Sequence, residues 1–96
     1  MTKPGWVYIM ANRYRGTIYI GVTSSLPHRV MQHRNREGSD FAARYGCDRL
    51  VYVGQYEDIK DAITREKQLK KWKRDWKVRL IEEQNPDWLD RFVDLV

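Results

Sequence analysis

Two short runs near the start, "WVYIMA" over residues 6–11 and "TIYIGV" over 17–22, constrain the fold more than any other part of the chain. Both are rich in aromatic and β-branched residues, and the polar "NRYR" between them completes the pattern of a β-hairpin. Along the first run Trp6, Tyr8 and Met10 share one side and Val7 and Ile9 the other; along the second, Ile18, Ile20 and Val22 oppose Tyr19, Gly21 and Thr23. A sheet that is apolar on both faces needs cover on both, so helices from the rest of the chain have to pack on each side of it. With a loop of Asn12 to Arg15, Ala11 pairs with Gly16 and Tyr8 stands directly opposite Tyr19.

The remainder supplies that cover. Ser24 and Ser25 are capping residues, and Leu26-Pro27 opens a helix that runs to about Arg36 and ends at Gly38-Ser39. "DFAARYG" (40–46) reads as a short helical turn and "RLVYVGQY" (49–56) as a third strand. Asp58 caps a long helix through about Lys71. A further helix over 73–84 stops before Pro86, because the residue preceding proline is pushed out of the helical region. The tail "DWLDRFV" is amphipathic, with Trp88, Leu89 and Phe92 expected to dock on the body.

At 96 residues one hydrophobic core is the limit, which predicts a single domain over 1–96 with its core at about 5–84 and a docking tail at about 85–96. A hydrophobic fraction of 42%, with four Trp and six Tyr, argues for a globular chain despite the charge. The lone cysteine, Cys47, excludes an internal disulfide and leaves no zinc-ligand spacing, which suits a reducing cytoplasm. The N-terminal apolar run is too short for a signal segment or a membrane span, so no membrane partner is expected. Lys and Arg number 18 against 13 Asp and Glu, and the excess gathers around 29–36 and 67–79, a balance that favours phosphate-rich partners.

Three polar side chains sit where apolar ones belong. Leu26, Arg29, Val30 and His33 fall on one face of the first helix, so Arg29 and His33 point inward or to its edge. Arg29 can snorkel past the apolar stripe and His33 can simply bond a backbone carbonyl. On the long helix Ile59, Ala62, Ile63, Glu66 and Leu69 mark the apolar face, and a carboxylate there must be paired or bound to something. Lys70 or Arg65 can supply an ion pair; a metal ion is the other reading. A phosphodiester hydrolase needs a proton acceptor for water, a cation on the phosphate and usually a divalent ion on carboxylate oxygen. Tyr8 or Tyr19, Arg29 and Glu66 are suited to those tasks.

Taken in order, "WVYIM", "TIYIGVT", "LPHRVMQHR", "AITREKQLKKW" and "NP" resemble the GIY-YIG nuclease superfamily over roughly residues 5–90, closest to its small stand-alone bacterial members. The resemblance implies an α+β fold, a three-stranded antiparallel sheet flanked by helices, and hydrolysis of DNA with one divalent cation, Mg²⁺ or Mn²⁺. It also implies roles. Tyr8 matches the tyrosine proposed as general base and Tyr19 the second tyrosine, which orders water or phosphate. Arg29 matches the phosphate-binding arginine, His33 the histidine that assists proton relay, and Glu66 the sole metal carboxylate. A single carboxylate suits Mg²⁺, which keeps waters and takes further oxygens from substrate phosphate. Asn85 matches the late family asparagine; from the residues alone it reads as an N-cap with Pro86 at N1. Trp6 stands in place of the glycine that opens the family name.

The basic run "EKQLKKWKRDWKVR" offers a separate surface. Lys70, Lys71, Lys73, Arg74 and Lys77, with Arg34 and Arg36 on the first helix, are candidates for backbone phosphate. Trp72 and Trp76 can stack bases, but with Leu69 and Leu80 they also form an apolar stripe that predicts core positions. The expected function is a metal-dependent DNA endonuclease, structure- or strand-selective in DNA repair or processing. The alternatives are a non-catalytic nucleic-acid-binding module on the same fold and, on the strength of the tail alone, a protein-interaction adaptor.

Overall fold

The structure is a computed structural model that describes residues 3–95. In chain order it contains β1 (Gly5–Ala11), β2 (Ile18–Thr23), α1 (Leu26–Arg34), α2 (Asp40–Tyr45), β3 (Arg49–Tyr56), α3 (Ile59–Lys71), α4 (Arg74–Gln84) and a 3₁₀ turn (Arg91–Leu95). The fold is α+β, with one antiparallel sheet in the order β2-β1-β3. Among the described residues no helix is long and apolar enough to cross a membrane.

The central strand is the one whose two faces are both apolar: Val7, Tyr8, Ile9, Met10 and Ala11 are all fully buried. On one side Val7, Ile9, Ile20 and Tyr52 pack against Ala62 and Leu69 of α3 and Ile81 of α4. On the other, Tyr8, Met10 and Leu50 pack against Leu26 and Val30 of α1 and Ala42 of α2. The third strand and the long helix have the bounds expected from the sequence, and the Asp58 side chain accepts from Lys60 N at 2.9 Å as the cap of α3.

The hairpin register differs from the expected one by two residues: Ala11 pairs with Ile18, Met10 with Tyr19 and Tyr8 with Gly21. The cause is the Asn12 side chain. Its Oδ1 accepts from Thr17 N at 2.9 Å, and Asn12 N donates to Thr17 O at 3.2 Å, so the loop spans residues 12–17. A slip of two leaves every side chain on its own face, and the two tyrosines meet diagonally with ring centroids 6.4 Å apart.

A bulge in β3 decides where Asn85 goes. Ile9 pairs with Tyr52 but Met10 with Leu50, so Val51 is the extra residue and joins Tyr52 on the α3–α4 side of the sheet. Asn85 follows the last residue of α4 and is buried; its Nδ2 donates to Val51 O at 3.1 Å and Leu89 O at 2.8 Å, and its Oδ1 accepts from Leu89 N at 3.1 Å. It is therefore the C-cap of α4 and a clamp on the bulge, not an N-cap before Pro86. Asn85→Ala leaves those groups unpaired and is expected to cost about 2–3 kcal/mol, read as a lowered urea midpoint.

The tail docks through fewer residues than its pattern predicts. Trp88 is fully buried and donates Nε1–H to Glu82 Oε2 at 2.7 Å, and Phe92 packs on the Tyr8 side of the sheet, but Leu89 is 64% exposed. The backbone of Trp88 has φ 55°, and this left-handed step breaks the helical spacing that put Leu89 on the same face. The β3 edge is blunted by side chains from the same region: Asp90 accepts from Leu50 N, and the Gln84 amide bonds both Val53 N and Val53 O.

Candidate active site

Of the residues with the wrong polarity for their helix faces, His33 is buried on the α1 side of the sheet, and Glu66 belongs to α3, which covers the other side. Pro27 lies in the first turn of α1, and the Thr23 hydroxyl accepts from Ser25 N at 3.0 Å; the Ser25 side chain makes no cap bond of its own. So seated, α1 turns Leu26, Val30 and His33 onto β1 and β2. His33 Nε2 then comes 2.8 Å from the hydroxyl of Tyr8, and both groups are buried. With the ring proton on Nδ1, the phenol donates to Nε2. Tyr19 flanks the pair, its ring centroid 5.1 Å from that of His33. His33 has thus found a phenol rather than a backbone carbonyl.

Glycines make the room. A Cβ on Gly21 would stand 2.4 Å from the Tyr8 hydroxyl oxygen, because the phenol lies directly over its cross-strand partner. Gly21→Ala must push the ring away or strain the hairpin, and a loss of about 1–3 kcal/mol is expected on thermal unfolding. Behind the imidazole, a Cβ on Gly38 would stand 2.9 Å from the ring. His33 Nδ1 is buried there without a hydrogen-bond partner.

Burial pushes the Tyr8 phenol above its ordinary pKa; the adjoining Tyr19 and the Glu66 carboxylate add to the rise, while the positive charge of Arg29 pulls the other way. His33 is held below its ordinary value, first by burial and then by Arg29. Both shifts keep the pair neutral at rest. The unfolded chain therefore binds a proton at His33 near pH 6.5 that the folded chain does not, so stability is full above that pH and falls below it. The expected slope is at most about 1.4 kcal/mol per pH unit. Denaturant titrations at descending pH check this; His33→Gln should flatten that part of the profile.

Glu66 lies on the inward side of α3 between Ala62 and Leu69, with its side chain 13% exposed and Lys70 Nζ at 3.0 Å. That partner is an i,i+4 lysine half in solvent, a pairing of small energy that a divalent ion can displace. Among the described residues no three His, Cys, Asp or Glu come together. A single carboxylate such as Glu66 is compatible with an ion that keeps most of its waters, such as Mg²⁺ or Mn²⁺.

The basic candidates divide into held and unengaged groups. Arg34 donates to Asp90 Oδ2 at 2.6 Å and Asp48 O at 3.0 Å and lies over Phe92, so it anchors the C-terminal segment. Arg36 donates to Ala43 O, Lys77 to Lys70 O, and Arg74 to the carbonyls of Arg15 and Gly16, tying α4 to the hairpin loop. Lys71 and Lys73 are exposed. Trp72 is partly buried against the core, whereas Trp76 is 49% exposed, because the chain breaks helix between Lys71 and Arg74 and the stripe does not continue onto one face. Sequence reasoning missed Phe41 and Tyr45, exposed on α2 beside Tyr19; their i,i+4 spacing was the available signal.

Comparison with known proteins agrees with this architecture. A family model described as the GIY-YIG catalytic domain matches residues 4–79. A UPF0213 protein of Oceanobacillus iheyensis is 29% identical over 87 residues, spanning 91% of this chain and 100% of the relative. One from Clostridium perfringens is 31% identical over 80 residues, 83% of this chain and 85% of the relative. One from Staphylococcus aureus is 32% identical over 69 residues, 72% and 84%. No solved structure matches the chain.

Proposed function

The chain belongs to the GIY-YIG nuclease superfamily, and on that premise we propose that it is a divalent-metal-dependent endonuclease that hydrolyses phosphodiester bonds of DNA. The observation that carries this reading is the buried contact of 2.8 Å between the Tyr8 hydroxyl and His33 Nε2, flanked by the ring of Tyr19. Tyr8 is the proton acceptor for the attacking water, and it passes its own proton to His33 Nε2 as it takes the new one. Tyr19 orders the water or the phosphate. Arg29 holds a phosphate oxygen and stabilises the charge that develops there. Glu66 would hold the cation, which would supply Lewis-acid stabilisation of the phosphate oxygens.

Lys71 and Lys73 are assigned to backbone phosphate. Lys70 joins them once released from Glu66. Arg34, Arg36, Arg74 and Lys77 are assigned there for their charge, with their geometry set by bonds inside the protein. Asn85 is assigned a positioning role through its clamp on Val51. The expected setting is the cytoplasm, in DNA repair or processing, with structure- or strand-selective cleavage.

A second reading, a non-catalytic DNA-binding module, is favoured by the Lys70 ammonium on Glu66 and by Trp6 at the family's glycine position. The two are separated by incubating the protein with supercoiled plasmid, single-stranded, flap and branched DNA in Mg²⁺ or Mn²⁺. A nuclease gives product on at least one substrate and none in chelator. Salt-sensitive binding with no product on any of them overturns the enzyme reading.

A further inference from the structure

Outside the pair of Tyr8 and His33, the chain of rings does not stop at Tyr19. The Phe41 ring lies 6.5 Å from that of Tyr19 at 32°, and Tyr45 lies 4.8 Å from Phe41. Unlike the rings beneath them, Phe41 and Tyr45 are 47% and 45% exposed, adjacent on one face of α2. Phe41 also walls an open cavity of about 450 Å³ whose lining includes Arg13, Arg15, Thr17 and Arg74. The charge of that cavity is positive. Arg15 is neutralised by Glu82, at 2.7 Å, but Arg74 donates only to carbonyl oxygens and Arg13 has no ion pair among the described residues.

We propose that Phe41, backed by Tyr45, is a stacking platform for one unpaired base of the DNA strand being cut, with Arg13 and Arg74 drawing the adjoining backbone into the cavity beside it. The proposal rests on the nuclease reading, since it fixes which nucleotide the platform receives: the one next to the phosphate held at Arg29 and Tyr19. Its chemistry follows from the surface. A flat exposed ring beside uncompensated guanidinium groups matches a partner that alternates flat π faces with negative charge. A base inside a duplex has both faces covered by its neighbours, so only an unpaired base or one at a duplex end can lie on Phe41. The platform therefore selects single strands, frayed ends and flaps over continuous duplex.

The test is fluorescence anisotropy in EDTA, with a short labelled single strand and the duplex of the same sequence closed at both ends by hexaethylene glycol linkers, on wild type, Phe41→Ala and Phe41→Leu. Phe41→Leu keeps an apolar contact with Tyr19 and Tyr45 but has no π face, and melting curves establish that each variant is folded. Both variants are expected to lose roughly tenfold in affinity for the single strand, with duplex affinity little changed. Wild-type affinity of both folded variants for the single strand, or an equal loss on strand and duplex, overturns the platform. Because binding is read without metal, the nuclease reading can fail separately: a wild type that cuts nothing in Mg²⁺ yet shows the Phe41-dependent preference retains the platform as a feature of a binding module.

Discussion

Tyr8→Phe is expected to lower Mg²⁺-dependent cleavage by about 10²–10⁴-fold, the range for removal of a positioned proton acceptor. The substitution keeps the ring that lies over Gly21 and fills the space between β1 and α1, so the fold survives it. What disappears is the hydroxyl and its bond to His33 Nε2, a nitrogen that then joins Nδ1 as a buried group without a partner. The stability cost is about 1–2 kcal/mol, small enough for the variant to be assayed folded at room temperature. The relay needs a neutral His33, whose pKa is held below its ordinary value, so the wild-type cleavage rate should be flat across the neutral range and fall in acid, while the residual rate of Tyr8→Phe should not fall with it. Single-turnover rates at a series of pH values, beside a melting curve for each protein, make the check.

Glu66→Gln is expected to abolish metal-dependent cleavage, by about 10³-fold or more, while changing stability by less than about 1 kcal/mol. Glutamine fills the same space between Ala62 and Leu69, and among the described residues the only pairing lost is the one to half-exposed Lys70. Loss of a negative charge close to the phosphate should leave metal-free DNA binding unchanged or slightly tighter, which separates this variant from one that has merely lost its DNA. Rates against Mg²⁺ concentration and anisotropy in chelator give the two halves of the result.

Much of the fold was legible because local signals and burial agree. Strand β3 runs over the residues its composition marks, Arg49–Tyr56, and Asp58 caps α3 as its position before an amphipathic run predicts. The features that were not legible depend on side chains bonding to distant or looped backbone. Nothing in the spacing of "NRYR" reveals that Asn12 closes the loop at Thr17 and moves the register by two. The bulge at Val51, and with it the place of Asn85, is settled only when β3 is laid against β1.

The candidate site divides the same way. Arg29, His33 and Glu66 were visible as polar residues on apolar faces, since helical period alone fixes the face. The contact of His33 with Tyr8 depends on how α1 packs across the sheet and on the space left by Gly21 and Gly38, which no one-dimensional pattern contains. Phe41 and Tyr45 have the i,i+4 spacing of one helix face, but a helix of six residues gives too little periodicity to tell whether that face is exposed or buried.

The most direct measurement is a time course of oligodeoxynucleotide cleavage started with Mg²⁺, run on wild type, Tyr8→Phe and Glu66→Gln purified side by side with matched melting curves. The account predicts product from the wild type alone, none after chelation, and near-zero rates for both variants. Cleavage by either folded variant at the wild-type rate, or a wild type that binds the same DNA and never cuts it, would contradict it.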